Sequence, residues 1–254
     1  MDFVVESPIA MFVVTLVVTA AGSYVGVLLV TRGVAVQVGD LSQFNVIQTG
    51  TLTLLGLVIG FTFSMAVGRY DQRKNLEEEE ANAIGTEYLR AALLPEADAA
   101  PVRARLREYL VRRIEWYTTT DEQKLRTIDA ATARLQEDLW NGVRGPVAAQ
   151  QTSVMSLVAA GMNDVLNSQG YTQAAWWNRI PQPGWVLLMV LSFCANVLVG
   201  MGAQAKGHRG LVFVLPAILA LAFLLIGDID SPRHGLIAVH PQNLISVADS
   251  LRPR

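Results

Sequence analysis

The apolar residues of this chain are gathered into a few long runs, and its charges lie between them. No charged residue appears from Pro8 to Thr31, and the run closes at Arg32. A second run, Gly50 to Gly68, ends at Arg69, a third covers Trp185 to Ala203, and a fourth Leu211 to Gly227. About 20 mostly apolar residues at roughly 1.5 Å rise cross the hydrocarbon of a bilayer, so each run predicts a membrane-spanning helix. The segment Gln204 to Gly210 is short enough to force the last two into a hairpin. Asp2 and Glu6, with no base beside them, carry the wrong sign for a signal-peptide leader, so the first run reads as a retained helix.

Between residues 69 and 180 the pattern becomes charged and amphipathic. A helix continues out of the second run and stops before Pro95. Another begins near Glu96, with Leu106, Tyr109, Leu110, Ile114 and Tyr117 at spacings of three and four. Thr120-Asp121-Glu122 reads as the cap and acidic first turn of a third, expected to end near Asn141-Gly142. Pro146 suits the first turn of a fourth, expected to end near Asn167, before Ser168-Gln169-Gly170. No useful strand pattern occurs. The expectation is an all-α integral membrane protein, with transmembrane helices over 1–68 and 181–227, a cytoplasmic helical domain over 69–180 and a cytoplasmic tail over 228–254. Bases near the membrane ends favour both termini inside. Arg69, Arg73, Lys74, Arg179, Arg233, Arg252 and Arg254 lie on one side, against Arg32, Lys206 and Arg209 on the other.

Composition narrows the function. The formal net charge of -2 over 254 residues offers no basic face for nucleic acid. The single cysteine, Cys194, excludes an intrachain disulfide and, set in an apolar run, reads as a buried small hydrophobe. No phosphate-binding loop, zinc pattern or nucleophile elbow is present, and His208, His234 and His240 are isolated loop or tail residues. The expectation is therefore no enzyme, no metal and no cofactor. No Asp, Glu, Lys or Arg lies in the middle of any membrane run, which argues against a proton-coupled carrier but not against a passive pathway. Trp140, Trp176 and Trp177 read as packing or interfacial anchors.

Two features invite a sharper reading. In the second run Gly56, Gly60 and Ser64 form a small-residue strip suited to close helix packing. Thr53, Leu57 and Phe61 form the adjacent strip, about 100° round the helix. Copies packed around an axis would make that second strip a lumen lining, whereas an ordinary helix contact would leave Leu57 and Phe61 facing lipid. The acidic run Glu77 to Glu80 reads first as a solvated face. Because successive residues point around the helix, some must turn inward, and Glu77, Glu80 and Glu87 are candidates for an acidic vestibule that attracts cations.

The segment Ile59-Gly60-Phe61-Thr62-Phe63-Ser64-Met65-Ala66, followed by Arg69-Tyr70-Asp71-Gln72-Arg73, resembles the second-helix signature of bestrophin channels. Ile229-Asp230-Ser231-Pro232-Arg233-His234-Gly235 resembles the acidic-Pro-Gly motif after their last membrane helix, with one extra residue, and with the neighbouring Asp228 the tail motif is Asp228, Asp230, Pro232 and Gly235. Glu79-Glu80-Ala81-Asn82-Ala83-Ile84-Gly85-Thr86-Glu87-Tyr88-Leu89-Arg90 resembles a bacterial family of bestrophin-like membrane proteins. The resemblance implies a homo-oligomer, a pentamer, in the bacterial inner membrane, passing small inorganic ions through a neck of Thr53, Leu57 and Phe61. Thr53 stands where the family usually has an apolar residue, which implies a wetter ring. The acidic clasp that binds calcium in animal bestrophins has no counterpart after Gly235. A non-conducting membrane scaffold or sensor, its cytoplasmic helices binding a partner, is the alternative.

Overall fold

The computed structural model describes residues 7–32, 41–205 and 212–252; the expected return at 206–210, with His208, lies outside the described residues. Its helices are α1 (Pro8–Thr31), α2 (Leu41–Arg90), α3 (Glu96–Thr118), α4 (Glu122–Ala149), α5 (Ser153–Trp177), α6 (Gln182–Ala205), α7 (Val214–Asp230) and α8 (Gln242–Ser250). A 3-10 turn, Ala91–Leu93, follows α2. No strand occurs among the described residues. Among the described residues three helical stretches are long and apolar enough to cross a membrane, Pro8–Thr31, Ser42–Leu93 and Ser153–Gln204. α7, with 17 residues, is shorter than those three. The chain divides into two compact units, residues 1–69 with 179–238, and residues 70–178 with 239–254.

In the first unit α1 packs on α6 along a seam of small and hydroxyl side chains. Thr15, Thr19 and Ser23, four residues apart, are fully buried. The Thr19 hydroxyl donates to the Thr15 carbonyl at 2.6 Å, satisfying its polar atom within the helix. Ser23 Oγ donates to Asn196 Oδ1 at 3.2 Å, and Asn196 Nδ2 donates to the Ser192 carbonyl at 2.7 Å. The two backbones are as close as glycine allows. A Cβ at Gly26 would lie 2.1 Å from the Val197 carbonyl oxygen, and one at Gly200 2.1 Å from that of Ser23. Apolar solvent gives helices little reason to associate, so close van der Waals contact of this kind has to hold them. Gly26→Val should therefore force the pair apart and cost about 1–3 kcal/mol. The check is the melting temperature of the intact protein in mild detergent. Gly170→Ala, at a helical position where a Cβ meets nothing within 4 Å, should leave it unchanged or slightly raised.

The second unit has a continuous core, in which Leu106, Tyr109, Leu110, Leu139, Val158, Met162 and Val165 are almost fully buried. Its helices begin where capping chemistry predicts. Asp121 accepts the backbone N–H groups of Gln123 and Lys124 at 2.7 and 3.0 Å, and those bonds hold its carboxyl below the usual range. Three helix ends differ from expectation. α4 runs through Gly142 and Pro146 to Ala149, because its buried stripe of Ile128, Thr132, Leu135, Leu139 and Val143 continues across the glycine. α5 starts at Ser153, with the Thr152 hydroxyl accepting from Met155 N at 3.2 Å, so Pro146 opens no helix. It then passes Ser168-Gln169-Gly170 because Ser168, Thr172, Ala175 and Trp176 extend its buried face. The tail holds an unanticipated helix, α8, anchored by the fully buried Leu244. Trp176 is buried against Trp116 and Tyr117, with centroids 4.6 and 5.5 Å apart, whereas Trp177 and Trp140 are exposed. Cys194 is exposed on the surface of α6, where its apolar run would face lipid.

Candidate functional site

α2 is 50 residues long and carries both features singled out above. In its apolar part only a narrow stripe packs against its own chain. Leu55, Thr62 and Ala66 are buried and Ile59 is half-buried, at spacings of four, three and four. Leu55 joins Ala195 of α6 and Leu219 of α7 in a small core, with Leu52, Ile59, Leu191 and Leu215 around it. Much of the remaining helix surface is exposed. Thr53, Gly56, Gly60 and Ser64 are exposed, as are Leu57 at 53% and Phe61 at 64%. A Cβ added at Gly56 or Gly60 would meet nothing within 4 Å, so within one chain this strip serves no helix contact. The close glycine packing of the chain lies instead between α1 and α6, at Gly26 and Gly200.

The packed stripe continues at the same spacing into the polar part of α2, where it changes from apolar to charged: Arg73, Glu77, Glu80, Ile84 and Glu87 are all buried, as is Ala91 in the turn that follows. Arg73 donates from Nε to the Ala175 carbonyl at 3.3 Å and from Nη2 to the Asn178 carbonyl at 3.4 Å. It thus satisfies acceptors at the C-terminal end of α5, where a cation is favoured. Glu77 does the converse at the start of α8, accepting Leu244 N at 2.9 Å and Asn243 Nδ2 at 2.7 Å. Glu80 accepts from Arg113 through both oxygens and from Tyr117 Oη and Thr172 Oγ1, each at 3.1 Å. Burial alone would lower the Arg113 pKa, but the charge and hydrogen bond of Glu80, with the two tyrosines, outweigh it and the net shift is upward. Burial first, and then the Glu80 charge, pushes the Tyr109 and Tyr117 phenols well above their usual range.

Glu77, Glu80 and Glu87, the candidates for an acidic vestibule, are all buried within the second unit. Two of the three are saturated with internal donors, and none presents a carboxylate to solvent. The members of the run that do are Glu78 and Glu79. The tail-motif acids are likewise occupied. Asp228 accepts the N–H groups of Leu236 and Ile237 at 2.6 and 2.8 Å. Asp230 accepts Ile180 N at 3.1 Å and pairs with Arg69 at 3.5 Å. Gly235 permits the turn, since a Cβ there would lie 2.3 Å from the Asp228 carbonyl oxygen. Among the described residues no cluster of three or more His, Cys, Asp or Glu could hold a metal ion.

All-helical, with long apolar helices, a second helical unit of ordinary polar composition and one long helix contributing to each, the chain is a helical membrane protein. The Bestrophin-like domain matches residues 13–244, and the chain belongs to that family. Its fold is similar to crystal structures of a bacterial bestrophin homolog from Klebsiella pneumoniae. The form with a tyrosine-to-alanine substitution aligns with a TM-score of 0.65 at 14% identity, covering 94% of this chain and 97% of that one. A form with an isoleucine-to-alanine substitution gives 0.65 at 12% identity, covering 94% and 96%. A structure described as a membrane protein, with a glycine-to-alanine substitution, gives 0.67 at 14% identity, covering 94% and 96%. Comparison with proteins of curated description gives no match.

Proposed function

We propose that the protein is a subunit of a homo-oligomeric ion channel, a pentamer, in which α2 from each copy lines the axis and Thr53, Leu57 and Phe61 form the neck. The observation that carries this reading is the bare side of α2. A 50-residue helix that packs on one narrow stripe and leaves Leu57 and Phe61 more than half exposed needs partners beyond its own chain. Gly56, Gly60 and Ser64 then let neighbouring copies approach closely, while the adjacent strip turns to the lumen. Conduction is passive, through apolar rings that close by dewetting. Family membership supports the reading, as does the likeness of its fold to a bacterial bestrophin homolog. In this arrangement α7 is the fourth membrane helix, both termini and residues 69–180 face the cytoplasm, and Glu78 and Glu79 are the carboxylates of the acidic run left to act on passing ions.

The first test is stoichiometry with flux. Native mass spectrometry of the protein in mild detergent should give five copies, and the same preparation in liposomes should dissipate a sodium or chloride gradient. A monomer or dimer cannot enclose a lumen with one such helix per copy. That result, or an intact oligomer without flux in either gradient, would move the assignment to a membrane scaffold or sensor.

A further inference from the structure

Glu87 is the one buried carboxylate on the α2 stripe that the arrangement above does not use. Glu77 has two donors and Glu80 has three partners, but neither oxygen of Glu87 has a hydrogen-bond partner, although the residue is 0% exposed. It fits because of what faces it. A Cβ at Gly161 of α5 would lie 2.0 Å from Glu87 Oε2 and 2.4 Å from Arg90 Nη1, so the missing side chain makes the room both groups occupy. Carboxyl and guanidinium therefore lie over the same glycine, yet no salt bridge joins them. Arg90 and Gly161 also border a cavity of about 230 Å³, lined with them by Asn82, Thr86 and Asp164. The charged groups facing Glu87 are Arg90 from its own helix and Asp164 from α5, and their effects oppose each other.

We propose that Glu87 is a proton-binding site that couples pH to the packing of α5 against α2, with Arg90 as the cation drawn inward when the proton leaves. A carboxyl sealed from water without donors is tolerated as the neutral acid and costly as the anion. Burial is the main cause of its raised pKa, about 8, with Arg90 pulling it down and Asp164 pushing it up. Near neutral pH the group holds its proton and Arg90 is free to face the cavity. Deprotonation leaves a bare anion beside Gly161 with one cation close by, and pairing draws the guanidinium in against the carboxylate over that glycine.

The sign follows from linkage. An acid whose folded pKa exceeds its unfolded value favours the folded state at low pH. That advantage, complete below the ordinary glutamate range of about 4.5, is lost as pH rises through about 8. The inference does not rest on conduction, and its test measures none. Melting temperature of the intact protein in detergent is followed from pH 5.5 to 9, with infrared pH-difference spectra to follow the protonated-carboxyl band. Wild type should lose several degrees across the window, the fall levelling off near the pH at which the carboxyl band is half lost, and Glu87→Gln should flatten the profile and remove the band. Two solvent-accessible substitutions keep the test decisive should Glu87→Gln fail to fold. Arg90→Gln removes the cation and should move the midpoint upward, and Asp164→Asn should move it downward. Parallel profiles for wild type and Glu87→Gln, or a midpoint that neither Arg90→Gln nor Asp164→Asn shifts, would overturn the proposal.

Discussion

Phe61→Ala should raise ion flux through proteoliposomes by about an order of magnitude. The side chain is 64% exposed on a helix whose packed stripe points elsewhere, so its removal takes no contact out of the subunit core. In the proposed oligomer it takes an aromatic ring from each copy out of the neck. The barrier of such a constriction comes from excluding water, and a wider, less apolar ring holds water more readily. A barrier lowered by about 1.4 kcal/mol corresponds to roughly tenfold in rate. Leu57→Ala should act in the same direction by less, because Leu57 is smaller. Thr53→Ala should have little effect, since a hydroxyl ring is already the wettest of the three. Phe63 supplies the control: it is also exposed on α2 at 38%, but stands about 200° round the helix from Phe61. Phe63→Ala should leave flux within twofold. An unchanged flux in Phe61→Ala, with subunit count and folding intact, would remove Phe61 from the pathway.

The long-range pattern of this fold was open to reading from sequence. The charge-free run from Pro8 to Thr31 matches α1, α2 does continue beyond its apolar part to the turn before Pro95, and Asp121 caps α4 as its residue type predicts. What was not legible has physical reasons. Glycine and proline near residues 142–146 and glycine at 170 looked like helix ends, but their local cost of about 1–3 kcal/mol each is smaller than that of breaking a buried stripe. The α1–α6 seam was missed because it is made of Thr, Ser, Gly and Asn, which an averaged hydropathy absorbs into the run around them. The same small-residue pattern on α2 drew attention instead, where it has no partner in the chain. The inward turn of Glu77, Glu80 and Glu87 did have a signal. They repeat at three and four residues in phase with Arg73, Ile84 and Ala91, a core stripe written partly in charge. Their partners were beyond sequence reach, Arg113 lying 33 residues away and Thr172 lying 92.

That stripe predicts a second large effect, this time on stability. Arg113→Ala should leave the Glu80 carboxylate buried with only the Tyr117 and Thr172 hydroxyls, at a cost of about 3–5 kcal/mol. Both side chains are 0% exposed, so water cannot replace the lost partner. The guanidinium also lies 4.6 Å over the Trp116 ring, whose cluster with Tyr117 and Trp176 would lose a wall. At roughly 2–4 °C per kcal/mol for a chain of this size, the melting temperature should fall by about 10 °C. Glu80→Ala should cost a similar amount by stranding the guanidinium, whose Nη1 already has no partner. The informative variant is the double replacement Glu80→Leu with Arg113→Met. It removes both charges while keeping most of the volume, and buried pairs replaced in this way are often neutral or better. Recovery of most of the lost stability would show that the single variants fail by leaving a charge unpaired. A double variant as unstable as the sum of the singles would mean that the cluster depends on the shape and hydrogen bonds of these two side chains, and that the charge on the α2 stripe is required for the fold.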